Sequence, residues 1–392
     1  MLFLPLLAEK QVVRQDEKVT KALKNGVMPL ASIALTFVPN LGVRGAAYLL
    51  DCFGSARAVY AASADELRGR GALREDIVRS IISRVGFAEA ERELTYCVKH
   101  DIKAIAADSE EYPALLREAD DFPAVLYVRG NVEALHRRAV SFVGTRKISS
   151  YGQRMCDKLV GELAQVASDA VVVSGLAFGV DGACHRAALA SGMTTVAVLA
   201  NTLPSVNPAA HRALAEDILS SQGAIVSELN SQTKQNGRFF ISRNRIIAAL
   251  SSGTVVVESP ESGGSLSTAA FADGYNRAVM AVPGRVGDSN SLGTNLLIRN
   301  RKAQLVLSGY DVASELMWDV ATSPVVEVLD EMPALSAAEE RLLALFDSDP
   351  VGIDELLERS GLSAGELSLH LMNMEFAGLL RQLPGKSYEK CR

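Results

Sequence analysis

The 392-residue sequence has no long hydrophobic run and no paired cysteines. No apolar segment reaches the roughly 18 residues that a membrane-spanning helix needs. The apolar start MLFLPLLAEKQ lacks the basic segment and the small-residue cleavage site of a secretory signal peptide. The five cysteines are scattered, without a CxxC pair or metal-ligand spacing. These absences predict a cytoplasmic protein with reduced thiols and without a metal site.

Two well-known phosphate-binding loops are also missing. No GxGxxG follows a strand with an acidic residue about 20 positions later, and GxxxxGK[ST] does not occur. Dinucleotide-dependent and P-loop NTPase chemistry are therefore disfavoured, and we predict no cofactor. The net charge of −6 argues against a generally basic surface for nucleic acid. A nucleic-acid site would need a local concentration of positive charge.

The chain is long enough for two or three domains. Residues 1–26 are mixed and charged, which predicts a flexible tail. Residues 27–105 consist of helical segments, among them a turn, VPNLG, before an amphipathic helix that ends at Gly54. This pattern is typical of a SAM-like or helix-hairpin-helix domain, whose turn can offer N–H groups to a phosphate. A helical module that only packs or binds protein fits the pattern equally well.

Residues 106–319 have a different pattern. From residue 139 to residue 308, seven short apolar runs alternate with helical stretches. Each run is continuous in hydrophobicity, as in strands that are buried on both faces. The alternation predicts a Rossmann-like, doubly wound parallel sheet, with any ligand beyond the carboxyl ends of its strands.

The remaining residues predict a linker and a small domain. Residues 320–334 contain two prolines and are interpreted as a linker. Residues 335–392 show three helices followed by strand, turn and strand, which indicates a winged helix.

The first predicted strand is followed by Gly144, Thr145, Arg146 and Lys147. A glycine lets the backbone approach a ligand, and the start of the following helix would supply free N–H groups. An arginine can bind a phosphate through its planar guanidinium. For this loop alone, an ordinary turn between strand and helix explains the residues equally well.

The second predicted strand ends at Ser174 and Gly175, and Asp181 and His185 follow on one face of a helix. These two side chains could form a metal or acid–base pair. No third ligand is nearby, and Asp181 also suits a helix N-cap. We therefore predict neither a metal ion nor a catalytic residue here.

The densest signal is RFFISRNRII, which begins at Arg238. Arginines bind phosphates, and an exposed aromatic ring such as Phe240 can stack on a base, which is how single strands are held without strict sequence reading. The alternative places the phenylalanines in the core and pairs Arg243 and Arg245 with carboxylates. A second Gly/Ser-rich segment, around Gly264, opens another helix and can also cradle an anion.

The distribution of charge agrees with a central polyanion site. Residues 140–303 hold 15 Lys and Arg against 11 Asp and Glu, whereas residues 335–392 hold 6 against 10. The central domain is thus net basic and the winged helix net acidic. The expected recognition helix, Ser363–Leu380, carries no Lys or Arg. It therefore does not fit a reader of the DNA major groove.

Five segments, in this order, resemble the bacterial DNA-processing protein DprA (Smf) family: VGTRKISSYG, VVSGLAFGVDGACHRAAL, SRNRIIAALS, VVVESPESGGSLSTA and AVPGRVGDSNSLGTNLLI. The resemblance covers nearly all of residues 110–308. It implies a Rossmann-like core that binds single-stranded DNA, usually as a homodimer. It further implies protection of incoming DNA, and loading of the RecA recombinase during natural transformation, without enzyme activity.

The resemblance and the residues together predict a set of DNA contacts. The predicted contacts are Gly144, Thr145, Arg146, Lys147, Ser174, Gly175, Phe240, Arg243, Asn244, Arg245, Gly264, Ser265 and Thr268. The sequence departs from the family at Phe178, where Arg or a polar residue is usual, at Ile241, where proline is usual, and in the segment 200–211.

The alternative function is that of the related lonely-guy phosphoribohydrolases, which cleave a nucleoside monophosphate. Those enzymes place a glutamate shortly after a Gly-Gly-x-Gly-Thr turn. Here the corresponding residues are Ala269-Ala270-Phe271-Ala272, which carry no carboxylate. The sequence therefore favours DNA binding over hydrolysis.

Overall fold

The computed structural model describes residues 29–318, 336–346, 350–376, 379–383, 385 and 387–390. The predicted tail 1–26 and linker 320–334 lie outside the described residues. The chain divides into two compact units, Met1–Ala321 and Thr322–Arg392. Within the described ranges, no helix is long and apolar enough to cross a membrane.

The first unit begins with a helical head. Its helices are α1 (Leu30–Thr36), α2 (Gly42–Phe53), α3 (Ala56–Ala61), α4 (Ala64–Gly69), α5 (Glu75–Ile82) and α6 (Phe87–Lys99). Helix α2 ends at Gly54, as the sequence indicates, because Gly54 adopts the left-handed conformation (φ 82°) that glycine accepts at a C-cap. The side chains of Ser55 and Ser63 cap the starts of α3 and α4.

A nine-stranded sheet forms the centre of the first unit. Its strands are β1 (Lys103–Ala106), β2 (Val125–Gly130), β3 (Ala139–Val143), β4 (Val171–Ser174), β5 (Thr194–Val198), β6 (Ala224–Ser227), β7 (Gly253–Val256), β8 (Ala278–Ala281) and β9 (Gln304–Leu305). Their spatial order is β1-β2-β6-β5-β4-β3-β7-β8-β9. Strands β3 to β9 are the seven predicted from the sequence, and they are parallel.

The sheet differs from the prediction at both edges. Strands β1 and β2, which lie before the first predicted strand, add an antiparallel edge next to β6. At the other edge, the last predicted strand is only two residues long and both residues are exposed. It is not buried on two faces, because an edge strand has a neighbour on one side only.

Helices cover both faces of this sheet. They are α7 (Ala114–Arg117), α8 (Ser150–Val166), α9 (Val180–Ala190), α10 (Arg212–Ser220), α11 (Phe239–Ala249), α12 (Ser265–Gly274), α13 (Leu292–Arg299) and α14 (Gly309–Glu315). Side chains alternate along β3, so that Phe142 packs in the cluster with α8, α9 and α14 and Val143 packs with α11, α12 and the head. The predicted doubly wound, Rossmann-like architecture is confirmed.

Strand β3 lies at the point where the order of the parallel strands in the sheet reverses. Strands β4 to β6 extend the sheet on one side of β3, and the chain then returns to place β7 to β9 on the other side. The loops after β3 and β7 therefore diverge, and a crevice opens at the carboxyl ends of these two strands.

The second unit has the predicted winged-helix elements. They are α15 (Ala337–Leu343), β10 (Val351–Gly352), α16 (Ile353–Ser360), α17 (Ala364–Phe376), β11 (Leu380–Leu383) and β12 (Ser387–Lys390). The three strands form an antiparallel sheet in the order β10-β12-β11. A separate apolar core, with Leu356, Leu367 and Leu371 at its centre, holds the helices against this sheet. The short strand β10 is an addition to the sequence-based prediction.

Candidate nucleic-acid interface

The crevice after β3 and β7 has a volume of about 310 Å³. Four chain segments line it: the loop after β3, the turn before α9, the first half of α11 and the loop that leads into α12. Nine of the predicted DNA-contact residues lie in this lining. They are Gly144, Thr145, Arg146, Phe240, Arg243, Asn244, Gly264, Ser265 and Thr268.

The loop after β3 is fixed by close backbone packing. The amide N of Thr145 donates a hydrogen bond to the carbonyl oxygen of Glu258 at 2.7 Å. A Cβ on Gly144 would lie 2.7 Å from the same carbonyl oxygen and would also clash with Val180. Only glycine fits at this position, and the loop is held ready-formed at the edge of the crevice.

The start of α8 is not free, contrary to the sequence-based expectation. The amide of Ser149 donates to the carboxylate of Glu258 at 2.9 Å, and the Ser149 hydroxyl also bonds this carboxylate. Glu258 is completely buried. A side chain of the protein therefore already supplies the negative charge that the start of this helix favours.

The start of α12 has no such partner. Its N-cap residue Gly264 provides no side chain, and the first turn contains no acidic residue. A Cβ on Gly264 would meet no atom within 4 Å, so its backbone borders open space. The amides of Leu266 and Ser267 donate to the carbonyl oxygens of Gly263 and Gly264, but no carboxylate of the described residues bonds this helix start, so the positive end of the helix dipole faces the crevice.

Arg146 and Phe240 form a cation–π pair in the lining of the crevice. The guanidinium carbon of Arg146 lies 5.0 Å from the centre of the Phe240 ring, within cation–π range. Arg146 is exposed, and Phe240 is half-buried. A phosphate and a base of one nucleotide can therefore meet a cation and an aromatic ring side by side.

Arg243 lies at the floor of the crevice rather than on its surface. It is only 5 % exposed, and its Nη1 donates to the carbonyl oxygen of Val198 at 2.8 Å. The guanidinium fills the space beside Gly175, where a Cβ would clash with it. Burial lowers the pKa of Arg243, while the nearby Asp181 opposes this shift. Arg243 contributes positive charge to the crevice and ties α11 to β5.

Asn244 connects α11 to the Gly/Ser-rich loop that leads into α12. Its Nδ2 donates to the carbonyl oxygen of Gly264 at 3.3 Å and to Ser267 Oγ at 3.1 Å. Asn244 therefore fixes the uncapped start of α12 relative to α11.

Four predicted contacts lie outside the lining: Lys147, Ser174, Gly175 and Arg245. The Ser174 hydroxyl is buried and donates to the carbonyl oxygen of Phe142 at 2.6 Å. Arg245 lies on another face of α11, where it donates to the carbonyl oxygen of Asp121 at 2.7 Å and pairs with Glu228. Lys147 is exposed next to the lined loop, and Gly175 lies beneath Arg243.

Asp181 and His185 do not form a pair with each other. His185 Nδ1 hydrogen-bonds Thr195 Oγ1 at 2.7 Å, and burial lowers the pKa of His185 to about 3, so it is neutral at neutral pH. The carboxylate of Asp181 accepts from the amide of Ala177 at 3.3 Å, and burial raises its pKa. In the part of the chain that the structure describes, no group of three or more His, Cys, Asp or Glu is placed to hold a metal ion.

The structure adds Phe178 to the candidate residues. It directly follows Ala177, which lines the crevice, and its ring is 50 % exposed and packs edge-on against His211 at 5.1 Å between ring centres. The sequence signal was available: an aromatic residue in a glycine-containing turn after a strand has little room in the core.

The chain is a Rossmann-like α/β protein with a glycine- and arginine-lined crevice at the switch point of its sheet and a winged-helix unit. The family profile described as DNA recombination-mediator protein A matches residues 103–317, and the profile of the DprA winged helix domain matches residues 330–386. The chain belongs to the DNA recombination-mediator protein A (DprA) family.

Individual relatives agree with this assignment. Protein Smf of Escherichia coli (strain K12) is 33% identical over 75% of this chain and 79% of the relative. The X-ray structure of DprA from Streptococcus pneumoniae matches with a TM-score of 0.63 and 28% identity, over 72% of this chain and 95% of that one. DprA from Helicobacter pylori, whose structure was solved for its single-stranded DNA binding mode, matches with a TM-score of 0.50 and 27% identity, over 56% and 97%.

Proposed function

We propose that this protein binds single-stranded DNA in the crevice and acts in DNA processing during transformation. The observation that carries the proposal is the Arg146–Phe240 pair, which lies at the edge of a crevice that also opens on the uncapped start of α12. The cation and the helix start provide two positions for phosphates, and the ring provides a surface for a base. The Helicobacter pylori relative, whose structure was solved for its single-stranded DNA binding mode, supports a single-strand site in this protein.

Not all of the predicted residues have the same role in this proposal. Arg146, Phe240 and the start of α12 contact the strand directly. Arg243 and Asn244 position the crevice, because Arg243 Nη1 and Asn244 Nδ2 already bond to carbonyl oxygens of neighbouring backbone. Arg245 supports α11 through its pairing with Glu228. This division is testable because the contact residues can be changed without disturbing buried hydrogen bonds.

The first experiment compares Arg146→Ala with Arg301→Ala in fluorescence anisotropy titrations with labelled single- and double-stranded DNA. Arg301 is exposed just before β9, at the amino ends of the parallel strands, whereas the crevice lies at their carboxyl ends. We expect Arg146→Ala to weaken single-strand affinity about tenfold or more, since a hydrogen bond between a guanidinium and a charged phosphate contributes about 1.5–3 kcal/mol. The log–log slope of affinity against salt should fall by about 0.7 for each phosphate that the variant no longer binds.

The matched variant Arg301→Ala should keep the affinity and the salt dependence of the wild type. Equal affinity for single and double strands, or an unchanged affinity in Arg146→Ala, would contradict the proposed site.

We further propose that the crevice does not catalyse hydrolysis. The positions on α12 that would have to carry a catalytic carboxylate include Ala269 and Ala272, which are apolar and buried. Asp181, the one acidic residue among the residues that line the described crevice, is buried and accepts from the amide of Ala177, and His185 behind it is neutral and bonded to Thr195. Incubation with AMP, followed by chromatography, should show no release of adenine; release of the base would favour a phosphoribohydrolase.

We also infer from the family that the protein forms a homodimer and helps load the RecA recombinase onto single strands. Mass photometry over a concentration series tests the dimer. The ATPase activity of RecA on strands coated with single-strand-binding protein tests loading, with an earlier onset expected when this protein is present. An unchanged onset would exclude the loading role.

A further inference from the structure

A second and larger cavity lies in the first unit, between the helical head and the sheet. We call it the head–core cavity. Its volume is about 630 Å³, and it is bordered by α1 and the start of α2 on one side and by α11 and α12 on the other. This volume lies within the range of about 300–1,000 Å³ that is typical of small-molecule sites. None of the contacts proposed above for the DNA strand occupies this cavity.

The charges at the floor of this cavity are already paired. Arg245, which is 5 % exposed, donates to the carbonyl oxygen of Asp121 and pairs with Glu228, and the Tyr275 hydroxyl donates to Asp121 Oδ1 at 2.5 Å. Burial raises the pKa of Glu228, while Arg245 opposes this shift. The floor therefore does not require a charged ligand.

The rim of the cavity has unpaired positive charge. Arg44 and Arg238 line it and are exposed, and neither guanidinium has an ion pair or side-chain hydrogen bond with any residue in the described ranges. The two lining carboxylates, Asp121 and Glu228, are engaged by Arg245. The charge that remains for a ligand is thus positive, which suits a phosphate.

The walls between rim and floor are apolar and partly aromatic. Leu35 of the head and Phe239 and Phe271 of the core line the cavity, and both rings are partly exposed. Phe271 stacks on Tyr275, with 6.2 Å between ring centres, which fixes the plane of its ring. Such walls suit a flat, apolar ligand group, since aromatic faces stack on planar rings.

Helix α11 separates the head–core cavity from the DNA crevice. Phe240, Arg243 and Asn244 line the crevice, whereas Phe239 and Arg245 line the cavity. A helix with its side chains is about 10–12 Å wide. A strand that leaves the crevice past the first turn of α11 has therefore only one helix to cross before it reaches Arg238.

We propose that the head–core cavity binds one nucleotide, with its base between Phe239 and Phe271 and its phosphate at Arg44 and Arg238. The nucleotide comes from one of two sources with the same chemistry: a nucleotide of the strand held in the crevice, or a free mononucleotide. The first source rests on the proposed DNA-binding function, and the second does not.

The experiment uses 2-aminopurine, a fluorescent adenine analogue, in the full-length protein. One arm titrates the free 2-aminopurine deoxynucleoside monophosphate, and the other uses oligonucleotides with the analogue at successive positions. Val43→Trp narrows the mouth of the cavity, and Arg44→Glu reverses its rim charge. Matched controls are Val85→Trp and Arg79→Glu, which are equally exposed in the head but lie outside the lining.

If the ligand is a free nucleotide, its affinity should fall at least tenfold in Val43→Trp and in Arg44→Glu, and not in the controls or in Arg146→Ala. If it belongs to the strand, one position of the oligonucleotide should change its fluorescence, and the two cavity variants alone should remove that change. The proposal is overturned if neither arm responds to the cavity variants. The two proposals can fail separately. If Arg146→Ala abolishes oligonucleotide binding but the free nucleotide still binds, the cavity binds a nucleotide independently of the crevice. If the free nucleotide does not bind but Arg146→Ala still weakens oligonucleotide binding, the proposed DNA site stands without a free-nucleotide site.

Discussion

The starts of α8 and α12 differ although both helices follow glycine-containing loops at adjacent strand ends. At α8, the amide and hydroxyl of Ser149 bind the buried carboxylate of Glu258. At α12, Gly264 offers no cap and the first turn carries no acid. The same local fold thus yields one helix start that the protein closes itself and one that remains open to an external anion. A glycine-rich turn before a helix marks a phosphate site only when no carboxylate of the protein already occupies it.

The largest expected effect comes from removing the carboxylate that bonds the start of α8. Glu258→Ala removes the carboxylate and leaves the Ser149 amide without its acceptor, while the Ser149 hydroxyl still accepts from the amide of Gly152. We expect the free energy of unfolding to fall by about 3 kcal/mol, because the hydrogen bonds to a buried charge disappear and a donor stays unsatisfied. Urea unfolding followed by the fluorescence of Trp318, the single tryptophan of the chain, reports on the first unit.

Glu258→Gln is the matched control for this change. It retains the volume and one carbonyl acceptor, so its loss of stability should be clearly smaller than that of Glu258→Ala. Equal stability of Glu258→Ala and the wild type would show that the carboxylate does not close the helix.

A second effect concerns α9, whose start also has its own carboxylate in Asp181, with the neutral His185 one turn further on. Burial lowers the pKa of His185 from 6.5 to about 3. At pH values between these two, the imidazole is protonated in the unfolded chain and neutral in the folded protein. Its contribution to stability is therefore lost as the pH falls below 6.5, by about 2 kcal/mol down to about pH 5. The raised pKa of Asp181 acts in the opposite direction.

The contribution of His185 is isolated by comparing urea unfolding of His185→Gln and the wild type at several pH values. The stability difference between the two should shrink as the pH falls towards 5. A difference that is independent of pH would show that His185 is not kept neutral by the fold.

The third effect comes from adding a carboxylate at the start of α12, which has no side-chain cap. Gly264→Asp places a carboxylate at the start of α12, where an added Cβ meets no neighbour within 4 Å and the backbone angles suit any residue (φ −61°, ψ −23°). Single-strand affinity should fall about tenfold, which corresponds to about 1.4 kcal/mol, while the melting temperature stays close to that of the wild type. Anisotropy titrations measure the affinity.

Gly264→Asn has almost the same shape without the charge and serves as the control. If both variants lose affinity equally, the effect is steric, and the electrostatic interpretation of this helix start is wrong.

Sequence reasoning identified the strands and most of the crevice for a physical reason. Strands buried on both faces have continuous apolar runs, and the loops after them meet at one edge of the sheet. It could not separate Arg243 from Arg245, because residues two apart point to different sides of a helix and the sequence does not say which side is which. The partner of the α8 start, Glu258, lies 109 positions from Ser149. The head–core cavity likewise depends on the packing of Leu35 near residues beyond position 228, which no local pattern reveals.

The smallest effect is expected from the second unit, in which two helix starts are closed by the protein's own carboxylates. The amide and hydroxyl of Ser336 bond to Glu339, and those of Ser363 bond to Glu366, so that α15 and α17 begin on carboxylates of their own. Residues 335–392 are also net acidic, with 6 Lys and Arg against 10 Asp and Glu. Neither feature attracts a phosphate backbone.

Removal of residues 335–392 should therefore change the single-strand affinity of the first unit by less than about threefold, since exposed negative charges that do not touch the strand are largely screened at physiological salt. The two units have separate apolar cores, so the truncated chain is expected to keep its fold. Anisotropy titrations of the truncated and full-length proteins, at low and at physiological salt, measure the difference. A decrease of tenfold or more would place a DNA contact in the acidic unit and would show that closed helix starts do not exclude one.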